Sequence, residues 1–246
     1  MTNEQGQDSP QGEFDRRDFL RLGAAIGIGA ILSPDAAAAR SRQSAPAGPD
    51  ILHGLRSRKE VAITFHGAGP LHIANSIFHE VANAHAGISV LAVGTWLKEN
   101  PSMAKVILNA GYDLGNHTMT HPVLTQLPLS KVEKEIKECA ALLKKLTGSQ
   151  GNWFRPSGTI RSTSTIRTAA GRAGYHNCIS YDVDSLDYTN QSEHATAKTV
   201  AKLVKPGSII GMHLGYPNTV KAIPLILAHL HKLGLKPVTL TELLRK

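Results

Sequence analysis

The chain has 246 residues, a formal net charge of +8, and 41% hydrophobic against 5% aromatic residues. Set apart from its N-terminal region, that length holds one domain with a full core and leaves no room for a second. The basic residues are scattered rather than gathered into a binding motif, which argues against nucleic acid as a partner.

In chain order, Arg16-Arg17-Asp18-Phe19-Leu20 precedes a weakly apolar run over residues 20–32 and an alanine stretch ending at Ala39. This order reads as a twin-arginine export signal spanning residues 1–39. The apolar run is too short to span a bilayer, which takes roughly 20 residues. As an ordinary buried helix it would be weakened by Gly23, Gly27 and Gly29. The expected product is periplasmic, cell-wall or extracellular, monomeric, and without a stable membrane span. Residues 40–58 read as a linker and residues 59–246 as the folded domain. Without residues 1–39 the balance is 24 basic to 13 acidic, net +11. Such a charge would draw the protein to anionic envelope polymers, and plain solubility explains it equally well. For Cys139 and Cys178 a disulfide and two buried thiols are both open.

Short β-type runs recur at residues 61–65, 88–93, 112–115, 153–155, 177–180, 208–212 and 237–240. Helical patterns lie between most of them, at residues 73–86, 102–110, 130–147, 164–173, 193–203 and 220–233. In the helix at 130–147, Ser130 and Glu133 suggest a capping box, Val132, Ile136, Ala140 and Leu143 form an apolar stripe, and Gly148 is a stop. Thr239 and Glu242 would cap a last short helix. Strands alternating with helices imply an α/β fold with a mostly parallel sheet, barrel-like or doubly wound. Functional residues then gather at the carboxyl edge of the strands.

Asn116-His117-Thr118-Met119-Thr120-His121-Pro122 follows a strand and so falls at that edge. Imidazoles at i and i+4 on a helical turn share a face and can converge on one ion. Two surface or capping histidines are the alternative. Four further strand-end segments hold Thr64-Phe65-His66-Gly67, Phe154-Arg155-Pro156-Ser157-Gly158, Asp182 to Tyr188, and Gly211-Met212-His213-Leu214.

Together, and in this order, the five segments resemble the polysaccharide deacetylases, the NodB-homology carbohydrate esterases. The resemblance implies a distorted (β/α) barrel of about seven strands. It also implies a divalent metal, usually zinc, used to hydrolyse acetyl groups of an N- or O-acetylated glycan, here a cell-envelope polymer. His117 and His121 match the metal-binding histidines, Arg155 the arginine that orients the base, His213 the general acid, and Asp187 the group that tunes it. Tyr188, Pro156 and Ser157 fall at substrate-lining positions. Zinc would activate a water and polarise the carbonyl, and a histidine supported by Asp187 suits proton delivery to the amine.

The family's first motif usually reads T-F-D-D-G, whereas here His66-Gly67-Ala68-Gly69-Pro70 follows Thr64-Phe65. Both carboxylates are gone. Either His66 completes a three-histidine metal site or serves as the base, or hydrolysis is lost and a sugar-binding groove remains, with Tyr188, Tyr216 or Trp153 as stacking surfaces. The altered third motif also leaves room for a small non-sugar amide as substrate.

Overall fold

The computed structural model describes residues 45–189 and 191–246. The expected export signal lies outside the described residues. Six strands, β1 (Glu60–Gly67), β2 (Ile88–Ala92), β3 (Asp113–Asn116), β4 (Val183–Asp184), β5 (Ile209–His213) and β6 (Lys236–Pro237), alternate with eight helices among them. The helices are α1 (Leu71–Asn83), α2 (Gly94–Glu99), α3 (Ser102–Asn109), α4 (Leu129–Thr147), α5 (Ser164–Arg172), α6 (Glu193–Leu203), α7 (Pro217–Lys232) and α8 (Leu240–Leu243).

All pairings between these strands are parallel, in the order β3-β2-β1-β5-β4, with β6 alongside the start of β1. Two of the expected strands shrink to single bridging residues. Phe154 bridges Asn116 of β3, and Cys178 bridges Phe154. The chain then runs from Cys178 into β4, so the ring is carried round to β5. This is the distorted barrel, closed through isolated residues where a regular barrel has ladders.

Residue parity on β1 explains how the barrel is filled, because alternate side chains face opposite sides of a strand. Val61, Ile63 and Phe65 pack outward in the core shared with α1 and α7. Ala62 faces the interior with Leu91, Ile179, Ile209 and Val238, and Leu240 and Leu243 of α8 close the bottom. Thr64 and His66 share the parity of Ala62, so the same alternation sends them into the barrel nearer its mouth.

Several local expectations need correction. The segment expected as linker is bonded into the domain from residue 47 on: Ala47 N donates to Arg167 O at 2.8 Å, and Ile51 bridges Ile179. Its composition concealed this because the bonds are made by backbone, which any sequence carries. Ser130 and Glu133 form no capping box, since α4 starts one residue earlier on Pro128, whose carbonyl accepts from Lys131 N and Val132 N. Glu133 instead pairs with Lys137 and Arg172. The apolar stripe of α4 is buried as expected, Gly148 ends the helix at φ 85°, and Thr239 and Glu242 do form the capping box of α8. The short helix α2 and strand β4 had no expected counterpart.

Cys139 and Cys178 are unpaired and buried. Burial pushes their thiols up to about 12 and about 11. Because a thiolate is the nucleophile, both should resist iodoacetamide at pH 8 in the folded protein and both should label after denaturation, as read by mass spectrometry.

Candidate active site

His66 enters the barrel mouth from β1, whose register places it directly across from His213 of β5. Its ring centroid lies 4.4 Å from that of His213 and 4.7 Å from that of His117. His66 therefore points into the groove, between the two. Its Nε2 is buried and has no hydrogen-bond partner.

His117 is buried, and its Nδ1 lies 2.9 Å from the carbonyl oxygen of Arg155. A carbonyl can only accept, so the proton sits on Nδ1 and the Nε2 lone pair faces the groove. His121 brings its Nε2 to 3.1 Å from that atom. The convergence does not come from a helical turn, as the i, i+4 spacing suggested. Thr118 and His121 both take left-handed backbone, φ 67° and 60°, and the segment is a tight loop.

That loop is held from three sides. Asn116 Oδ1 accepts from Thr118 N at 2.8 Å, and Glu135 of α4 accepts from Thr120 N and Oγ1, each at 2.8 Å. The start of α2 donates to the same loop through Gly94 N and Thr95 N. From the third side, Ser157 Oγ donates to Pro122 O at 2.6 Å and accepts from Thr118 Oγ1 at 3.0 Å. Ser157 and Pro156 are buried, so the substrate contact expected of them is replaced by bracing of the histidine loop.

His213 is oriented by Asp187, a fully buried carboxylate. Asp187 Oδ1 sits 2.8 Å from His213 Nδ1, while Oδ2 accepts from His213 N at 2.9 Å and Thr219 Oγ1 at 2.7 Å. The remaining nitrogen of His213 is left for the groove. Tyr188 and Tyr216 stand edge-on around the ring, at centroid distances of 5.1 and 5.7 Å, and Tyr188 is 41% exposed. These two tyrosines can offer a stacking face. Trp153 cannot, because its indole N–H donates to Thr241 at the opposite end of the barrel.

Arg155 is buried beneath the histidines. Its Nη2 donates to Thr64 Oγ1 at 2.8 Å and Ser180 O at 3.2 Å, and its guanidinium stacks 5.2 Å from the centre of Tyr181. Thr64, Thr219, Tyr181 and Glu135 went unnoticed in the sequence. Thr64 could have been found by its parity with His66, whereas the other three come from distant elements with no local signal.

Burial first, then the neighbouring cationic groups, holds His66 and His117 well below the usual imidazole range, and burial lowers His121 as well. These rings are neutral at neutral pH, the state in which imidazole binds a cation. The donor chemistry of His117 and His121 fits a divalent cation: two lone pairs converge, and one ring is fixed by a carbonyl behind it. Among the described residues, however, no three His, Cys, Asp or Glu side chains are grouped as ligands. The groove itself, about 520 Å³, is lined by His66, His121, His213 and Tyr216.

The family model described as polysaccharide deacetylase matches residues 53–178. The chain belongs to the polysaccharide deacetylase family. It is 29% identical to a peptidoglycan-N-acetylglucosamine deacetylase of Bacillus cereus over 193 residues, 77% of this chain and 90% of that protein. A CE4 family pseudoenzyme from Bacillus anthracis superposes with a TM-score of 0.75 at 25% identity, covering 82% of this chain and 70% of that one. A mutant of that pseudoenzyme, described as having restored enzymatic activity, superposes with the same TM-score at 26% identity, covering 82% and 72%.

The first-motif departure has a steric side. A Cβ on Gly67 would lie 2.7 Å from Val90 Cγ1 and 2.9 Å from Ala92 Cα on the adjoining strand. Gly67→Asp should therefore destabilise the domain by about 1–3 kcal/mol in urea denaturation, as overpacking does, whereas His66→Asp, which points into the groove, should cost less.

Proposed function

We propose that this protein hydrolyses acetyl groups from an N- or O-acetylated glycan, a cell-envelope polymer met after export. The observation that carries the reading is the Asp187–His213 pair. Taking a carboxylate wholly out of water is costly unless its lone pairs are satisfied. Here three donors satisfy Asp187, and two of them fix His213 with one ring nitrogen open to the groove. Such an arrangement supports the charged imidazolium and suits proton delivery to a departing amine or alkoxide.

The other half of the reaction needs a nucleophilic water and support for the oxyanion. His66, neutral and facing His213 across the groove, can accept a proton from water. His117 and His121 would hold a divalent cation, zinc by their nitrogen donors, which when bound supplies an activated water and polarises the acyl oxygen. Arg155 holds His117 through its carbonyl oxygen, and Tyr188 and Tyr216 would take a sugar face beside His213. The peptidoglycan deacetylase of Bacillus cereus supports an N-acetylated envelope glycan as the substrate class.

A second reading is a catalytically silent glycan-binding protein on the same scaffold. It is favoured by the missing three-ligand set among the described residues and by the likeness to a pseudoenzyme.

Two measurements separate them. Zinc titration should find a site that His117→Ala abolishes and His213→Ala leaves unchanged. Acetate release from peptidoglycan or chitooligosaccharides should fall about 10²–10⁴-fold in His213→Ala, the usual contribution of general acid catalysis. Glycan binding without acetate release, indifferent to chelator and to His213→Ala, would put the silent reading first.

A further inference from the structure

Two unpartnered polar atoms lie buried under the groove: Arg155 Nη1 and His66 Nε2. They belong to neighbouring side chains. Arg155 reaches β1 at Thr64, and Thr64 and His66 stand on the same face of that strand. The charge of Arg155 is among the groups that act on His66. Arg155 is 2% exposed, yet none of its nitrogens meets a carboxylate among the described residues; its partners are one hydroxyl and two carbonyls. The carboxylate nearest the chemistry, Asp187, is saturated by His213 and Thr219.

A guanidinium removed from water is strongly destabilised unless an opposite charge accompanies it. Neutral partners reduce the cost without cancelling the charge, and burial lowers Arg155 to about 10, which leaves it cationic at neutral pH. Around it stand His66, His117 and His213, none of which can supply negative charge. Two orphan N–H groups beside an uncompensated cation are the donor pattern of an anion site, and a guanidinium fork matches the two oxygens of a carboxylate.

We infer that the floor of the groove binds one small carboxylate anion, its oxygens accepting from Arg155 Nη1 and from His66 Nε2. Formate is the smallest such anion. The site is separate from the His117–His121 pair, because its donors are N–H groups rather than lone pairs. Bound there, the anion places a carboxylate beneath His66, in a pocket whose own β1 segment carries none.

The test is a titration of the full chain with sodium formate in the presence of EDTA, against sodium chloride at matched ionic strength. A saturable gain in melting temperature with formate but not chloride is expected, rising with the logarithm of formate concentration once the site is filled. His66→Phe, which keeps the ring and removes the donor, should weaken formate binding by at least about tenfold, and so should Arg155→Lys, which keeps the charge but loses the fork. Should Arg155→Lys fail to fold, carbon-13 formate observed by NMR on the unaltered protein and on His66→Phe gives the same comparison. An equal response to chloride, binding indifferent to both variants, or binding that appears only with zinc would overturn the inference. No readout depends on turnover, so its failure leaves the hydrolase reading untouched, and an absence of acetate release leaves the anion site untouched.

Discussion

The mouth of the barrel depends on the pairing of β1 between β2 and β5. Being central, β1 has its register fixed from both sides, and a slip of one residue would turn every side chain to the opposite face. That constraint holds His66 against His213 on one flank and puts Gly67 beside Ala92 on the other. It also puts Thr64 one step below His66, where Arg155 meets it. The groove is thus assembled by strand register first and by side-chain contacts second.

Electrostatics then divides the site into two unlike halves. On the β5 side, Asp187 is buried with all its hydrogen-bonding capacity used, and its charge is committed to His213. On the β1 side, His66, His117 and Arg155 meet no carboxylate among the described residues. An acid that must release and regain a proton sits in the first half, where a counter-charge steadies its charged form. The second half keeps its imidazoles neutral through burial and mutual repulsion, the condition for binding a cation or accepting a proton from water.

The barrel was legible because its main signals are local. Alternation gave β1, β2, β3 and β5, and periodicity gave the longer helices. The strand-end motifs gave His66, His117, His121, Arg155, Asp187 and His213, which the structure brings together at one mouth. What escaped was set by contacts remote in sequence. The strands expected at 153–155 and 177–180 became single bridges because the ring closes there with neighbours only one residue deep. Ser157 looked like a groove residue by position, but its hydroxyl is taken up by Thr118 and Pro122. The bend that aims His121 arises from left-handed backbone at two non-glycine residues, which spacing alone could not reveal.

Closure through isolated residues also has a mechanical consequence. Between β3 and the chain at Phe154 and Cys178, the ring is joined by a few backbone bonds, among them Arg155 N to Asn116 O and Ile179 N to Phe154 O. Such a seam opens more readily than a ladder of five paired residues, since local stability follows the number of cooperating contacts. Arg155 and His117 lie along this seam, while His66 and His213 lie on the rigid wall opposite. Breathing of the barrel would therefore move one pair of groups relative to the other and change the width of the groove, with β1 as the fixed jaw.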